Sequence, residues 1–317
     1  MADNTPIEWA DASWTPIRAR YWETQNEGRG EERIGWHCTH VSEGCRNCYA
    51  ERINIRLGTG RDYAPGELYR EERKGFRNGE VKLFLDEKML TQPLRWRQSR
   101  KIFVCSMTDL FADFVPDEWI DRVFAVMALA PQHTFMVLTK RAERMQYHLT
   151  HSGHENIYAL ACQQDETLAH RWHWPLPNVW LGVSAEDQAR ADERIPLLLD
   201  TPAAVRFISA EPLLGPIDLT ALGHDGSGVI DAMRGEDWIH YSGDIRRVVQ
   251  RRNKLDLVIA GAESGPNARA CSEEWIRKLK DQCVAADICF FYKQAVVNGR
   301  KIPTPELDGR KWVDLPI

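Results

Sequence analysis

The sequence predicts an α/β fold built on a parallel sheet, and three observations carry that reading. Short β-rich apolar runs recur along the chain, amphipathic helical patterns lie between them, and polar residues follow nearly every run. Strands apolar along their whole length and separated by helices belong to βα units, whose sheet is covered on both faces. The 317 residues allow two ordinary domains or one barrel-sized unit, and can bury a real core either way.

The expected strands lie at 102–104, 134–138, 179–183, 205–208, 257–260 and 288–292. The helix after Phe114 begins with Pro116 and the acids Asp117 and Glu118, followed by apolar Trp119, Ile120, Val123, Phe124 and Met127. Proline and acids in a first turn mark a helix start. A second helix starts at Ser272, an N-cap ahead of Glu273 and Glu274, with Trp275, Ile276, Leu279, Cys283 and Ala286 on one stripe. Three polar, His-rich or Gly-rich stretches, about 18–35, 147–177 and 223–254, interrupt this rhythm. They read as insertions, lids or surface excursions within one domain spanning 1–317.

Composition narrows the function classes. With 43% hydrophobic and 27% charged residues the chain is neither collagen-like, disordered nor a disulfide scaffold. Its apolar runs fall far short of the ~18 residues of a membrane span. The N-terminal run MADNTPIEWAD lacks the charged-then-apolar order of a secretory signal, so a reducing, cytoplasmic location is expected. A formal charge of -5 argues against coating duplex DNA through a general basic surface.

Eight cysteines are too few for a disulfide framework, but three are clustered: Cys38, Cys45 and Cys48 in HCTHVSEGCRNCYAERI. Close spacing on one loop makes a local chelate of soft thiolates, suited to iron-sulfur clusters or zinc. A closed zinc site wants four ligands and would need His37, His40 or a distant cysteine. A cuboidal iron-sulfur cluster on three cysteines leaves one iron open.

Around this loop the runs WHCTHVSEGCRNCYAERI, KIFVCSMTDLF, VLTKRAERM, VWLGVSAED, FISAEPLLGPIDL, VIAGAESGPNAR and FFYKQ resemble the phage-associated three-cysteine-motif family. That family, of unknown function, is itself similar to radical S-adenosylmethionine (SAM) enzymes. The resemblance covers most of the chain outside the three insertions. It implies a partial (βα) TIM-like barrel of about six to seven parallel strands, with its chemistry at the strands' C-terminal ends. It further implies a [4Fe-4S] cluster on Cys38, Cys45 and Cys48, with SAM on the open iron and cleaved reductively to a 5'-deoxyadenosyl radical. The electron would come from a donor such as a flavodoxin or ferredoxin. One departure stands out: the first gap is six residues and Asn47 precedes the third cysteine, so Tyr49 takes the place of the usual aromatic. By the same resemblance Ser106, Thr108 and Asp109 fall where the SAM amino group binds, with Asp109 the acceptor. Ser184 and Glu186 fall where ribose and carboxylate are contacted, and Glu211 and Glu263 face substrate.

The residues themselves offer separate support, since these side chains all follow strands. Many of them would also serve as ordinary caps and first-turn acids. Lys140, Arg141 and Lys293 would not, because a cation near a helix start opposes the dipole and needs an anion. A substrate or SAM carboxylate, or a partner such as Glu211, would supply it.

Other features read as structure first. GAESG lacks the Lys-Ser/Thr ending of a phosphate loop. Histidines 148, 151, 154, 170 and 173 have no regular acid spacing beside them and are expected to be mostly solvated, and Trp172, Trp174 and Trp180 to pack. The basic runs 95–101 and 246–254 read as solvated faces, the second also as a candidate nucleic-acid contact. Three functions therefore stand side by side. They are a radical SAM-like enzyme, with phage-related nucleic-acid modification or repair as its substrate class by analogy; a zinc-stabilised nucleic-acid-binding or assembly protein with a Cys3His site; and a cluster-bearing redox protein without SAM.

Overall fold

The computed structural model describes residues 5, 7–24, 30–63, 81–151, 153–224, 228–241, 245–265 and 267–316. In chain order its first strands are β1 (Ala12–Trp14), β2 (Ile17–Thr24), β3 (Gly30–Gly35), β4 (Val81–Leu85), β5 (Lys101–Val104), β6 (Thr134–Thr139), β7 (Val179–Ser184) and β8 (Val205–Ala210). There follow β9 (Leu222–His224), β10 (Gly228–Asp231), β11 (Glu236–Tyr241), β12 (Ile245–Arg251), β13 (Leu257–Gly261), β14 (Cys289–Val297) and β15 (Arg300–Pro303). The longer helices are α1 (Tyr49–Leu57), then, after the single turn α2 (Glu87–Leu90), α3 (Asp117–Ala128), α4 (Ala142–Thr150), α5 (Gly153–Gln164), α6 (Gln188–Leu199) and α7 (Glu273–Ala286).

One eight-stranded sheet, in the order β1-β5-β6-β7-β8-β13-β14-β15, organises the molecule. All its pairings are parallel except the last, β14 with β15. The six to seven parallel strands expected are thus exceeded by one antiparallel edge strand, and β1 was not foreseen. Three residues, Ala12 to Trp14, are too short for a periodic signal, and β15 is exposed along its length, so neither reads as a buried run.

The sheet curls into a half-barrel. The Trp9 ring lies 4.6 Å from the Phe103 ring on β5 and 6.5 Å from the Phe207 ring on β8, strands that a flat sheet would hold about 14 Å apart. Trp9 joins Phe103, Met136, Trp180, Phe207, Leu257, Ile259 and Phe291 in one buried cluster to which six strands contribute. This apolar plug closes the bottom of the concave side. Gly182 is part of its fit, because a Cβ there would stand 2.5 Å from the Phe207 ring.

The convex side carries the main core. Helix α3 buries Ile120, Val123, Phe124 and Met127, and α7 buries Ile276, Leu279 and Cys283, the stripes expected for both. Ser272 caps α7 by accepting from the Glu274 amide.

Within the described residues, each of the three polar stretches carries regular elements. Strand β2 pairs with β3 on one side and β4 on the other in an antiparallel sheet, and β9 to β12 form another. Residues 147–177, expected as an excursion, carry α5, which packs on α3 and buries Ile157 and Ala161. Of the histidines expected to be mostly solvated, His151, His170 and His173 are exposed and His154 half-buried, and His148 is the exception: it is buried, with Nε2 2.7 Å from Asp121 Oδ1. Its helical spacing with Met145 and Leu149, which point inward, was masked by the crowding of histidines. Trp172 and Trp174 stack on each other and pack against the core. Among the described residues no helix is long and apolar enough to cross a membrane.

Candidate functional site

Above the plug, at the C-terminal ends of the strands, lies a cleft of about 1140 Å³ including its solvent-open mouth. The cysteine loop forms one wall. Between β3 and α1 it crosses the strand ends and is tied to four of them in turn. Tyr49 Oη donates to the Ser106 carbonyl after β5 (2.7 Å), and Thr108 Oγ1 donates to the His37 carbonyl (2.6 Å). After β6, Arg141 Nη2 donates to Thr39 Oγ1 at 2.6 Å. After β7, Glu186 accepts from Ser42 Oγ at 2.8 Å, and after β13, Glu263 accepts from Asn47 Nδ2 at 2.8 Å. Arg269 Nη1 completes the set by donating to the Glu43 carbonyl at 2.9 Å.

This fastening rests on a ring of ion pairs. Lys140 meets Glu186, Arg141 Nη1 lies 3.0 Å from Asp109 Oδ2, Arg269 Nε lies 3.0 Å from Glu263 Oε2, and Lys293 Nζ lies 3.0 Å from Glu211 Oε1. The anion that Lys140 and Arg141 require is therefore a carboxylate of a neighbouring strand end, and for Lys293 on β14 it is Glu211 after β8, two strands away. Glu186 is fully buried. Burial alone would raise its pKa, but Lys140, Arg194 and the Ser42 hydroxyl outweigh that and hold it down at about 2. Glu263 is held below the usual carboxylate range by Arg269 and Asn47, again against the opposing effect of burial.

Every residue singled out from the sequence lines this one cleft except Glu186, which sits behind its wall. Their tasks divide differently from the expectation. Asp109, expected to receive the SAM amino group, already accepts from the Phe111 and Lys140 amides, Thr139 Oγ1 and Arg141 Nη1. Four donors fill a carboxylate's capacity, so Asp109 clamps the ends of β5 and β6 together and holds Arg141 where it reaches the cysteine loop. Glu186 and Glu263, expected to touch ribose and substrate, are engaged in the same way. Lys293 and Glu211 differ. Their contact lacks hydrogen-bond alignment and Glu211 Oε1 is otherwise unpartnered, while Glu211 Oε2 accepts from Ser209 Oγ at 3.0 Å. This pair, with Ser184, Ser209 and Gln294, is the polar equipment still open to a ligand.

The sequence reading missed Thr39, which accepts from Arg141, the donors Ser42, Asn47 and Arg269 that seat the loop, and Arg194, which donates to Glu186 from behind. Arg269 ends the run VIAGAESGPNAR and was legible as a cation six residues beyond Glu263. Arg194, eight residues after Glu186 on α6, carried no signal apart from its place on a buried helix face.

Cys38, Cys45 and Cys48 all line the cleft, and each of the other two thiols acts on Cys38 electrostatically. Burial pushes the Cys38 thiol up to about 12, a rise that Arg141 only partly offsets, and burial likewise raises Cys48. Thiols so placed become thiolates when a cationic centre compensates them. Among the described residues no three His, Cys, Asp or Glu side chains converge at the spacing of a single metal ion. His40 is engaged by Glu51, Nε2 to Oε2 at 3.2 Å. Three thiols on one loop, lining one cleft, are the soft donors that an iron-sulfur cluster or a zinc ion would take. A fourth thiol, Cys105, also lines the cleft; it follows β5 in a left-handed conformation (φ 56°) and is buried.

Fold and site thus define a half-barrel α/β protein with a three-cysteine loop strapped across its strand ends. The chain belongs to the family described as "Protein of unknown function (DUF5131)", which matches residues 33–316. No curated protein and no solved structure matches it.

Proposed function

We propose that this protein is a radical SAM-like enzyme whose Cys38, Cys45 and Cys48 hold a [4Fe-4S] cluster at the mouth of the half-barrel. The observation that carries the reading is the seating of the cysteine loop: three thiols on one loop, bound by hydrogen bonds to the ends of β5, β6, β7 and β13, over a cleft with an apolar floor. When bound, such a cluster with SAM supplies a one-electron reduction and a 5'-deoxyadenosyl radical, drawing its electron from a donor such as a flavodoxin or ferredoxin.

The chain's own residues orient and exclude. Phe103, Leu138 and Trp9 floor the cleft and keep water from a reactive intermediate. Ser184 and Ser209 present hydroxyls to a ribose, and the loosely aligned Lys293–Glu211 pair can exchange partners with a ligand's carboxylate and ammonium groups. By analogy with the phage-associated family that the motifs resemble, nucleic-acid modification or repair is the substrate class of this reading.

The test is product formation. Anaerobically reconstituted protein reduced with dithionite in the presence of SAM is expected to release 5'-deoxyadenosine, detected by mass spectrometry, and Cys45→Ala is expected to release none. Iron-loaded, reduced wild-type protein that leaves SAM intact would overturn the proposal.

A further inference from the structure

A second cleft lies at the opposite end of the sheet. It takes in Arg206 near the start of β8 and Asp256 just before β13, about 13 Å of strand away from the mouth. Its space, about 740 Å³ with its open side, is bounded by the β10–β11 turn and the segment that leaves β12. Gly235 (φ 68°) makes that boundary, since a Cβ there would stand 2.5 Å from the Arg252 carbonyl oxygen.

Five cationic side chains line this cleft against two carboxylates, Glu236 and Asp256, in a chain whose formal charge is -5. Two of the five are committed: Arg252 to Asp200 and Asp237, and Arg234 to Asp231. Arg251 and Lys254 are exposed and, among the described residues, their side chains make no hydrogen bond or ion pair. Arg206 is the telling group. It is 8% exposed, one end donates to the Thr201 carbonyl at 2.8 Å, and its Nε is buried without a partner. A buried guanidinium N–H left unmatched is costly unless an acceptor reaches it.

We infer that this cleft binds the phosphodiester backbone of a nucleic acid, with Arg206 as the buried anchor and Arg251 and Lys254 as the exposed contacts. No aromatic side chain lines it, so stacking on bases is absent and recognition is by phosphate alone, without sequence preference. The inference does not depend on the chemistry at the mouth.

The test is fluorescence anisotropy with a labelled single-stranded DNA of about 20 nucleotides over a salt series, comparing wild type with Arg251→Ala/Lys254→Ala. Both residues are exposed, so an unchanged thermal midpoint is expected. The double variant should bind about tenfold more weakly at physiological salt and lose about 1.4 from the log–log salt slope, two phosphate contacts at about 0.7 each. Glu236→Lys should bind more tightly, and oligo-dT and oligo-dA should bind alike. Metal-free and iron-reconstituted protein should bind equally; binding that appears only after reconstitution would move the contact to the mouth and overturn the inference. An unchanged slope in the double variant, or displacement of the DNA by poly-glutamate at equal charge concentration, would overturn it as well, the latter by assigning the cleft to an acidic protein.

Discussion

Glu186 shows how single residues hold this site together. Its carboxylate is buried among Lys140, Arg194 and the Ser42 hydroxyl, and titrates at about 2 instead of 4.5. Because the folded pKa is the lower one, the unfolded chain takes up the proton first. The stabilisation, about 3 kcal/mol by linkage, is complete above pH ~4.5 and disappears as the pH falls toward 2. Urea titrations of wild type and Glu186→Gln are expected to differ most near neutrality and to converge at low pH; a gap independent of pH would remove this role. Asp109 belongs to the same scale. Asp109→Ala strands the mostly buried Arg141 guanidinium and is expected to cost about 3–5 kcal/mol in denaturant unfolding, as does breaking other buried pairs. The same change made with Arg141→Ala already present should cost clearly less.

At the scale of elements, the cysteine loop keeps its place through what it touches. Gly44 packs so closely on Glu186 that a Cβ would stand 2.2 Å from Oε1, and Glu186 cannot yield without leaving its cations. Gly44→Ala is therefore expected to lift the loop, cutting the iron retained after anaerobic reconstitution several-fold while the circular dichroism of the barrel is unchanged. Full iron retention would show that the seat is not needed. The core strands and the helices α3 and α7 were legible in the sequence because their apolar runs and caps are local signals. Strand β1 and the antiparallel sheet of β9 to β12 were not, since one is three residues long and the other is a polar stretch whose pairing sets its structure. The loop's spacing revealed three thiols. It could not reveal that Asp109, Glu186 and Glu263 are its fasteners, because a carboxylate after a strand reads the same whether it faces a ligand or a neighbouring cation.

For the molecule as a whole, the concave side of the sheet separates an apolar bottom from a polar mouth. Trp9, 2% exposed, fills the bottom and touches strands from both halves of the curl, so Trp9→Ala is expected to cost about 3–5 kcal/mol. A loss below about 1 kcal/mol in chemical denaturation would mean that the plug does not hold the curl. The side chains that the sequence marked as one constellation do meet in one place. What the sequence left open was which of them are structure and which face a ligand.

The central claim is that the mouth holds an iron-sulfur cluster with an iron open to SAM. Electron paramagnetic resonance of the anaerobically reconstituted, dithionite-reduced protein, with iron counted on the same sample, tests it most directly. The expected result is about four irons per chain and a reduced-cluster signal that shifts when SAM is added, both lost in Cys45→Ala. One tightly held zinc, or a cluster signal indifferent to SAM, would contradict it.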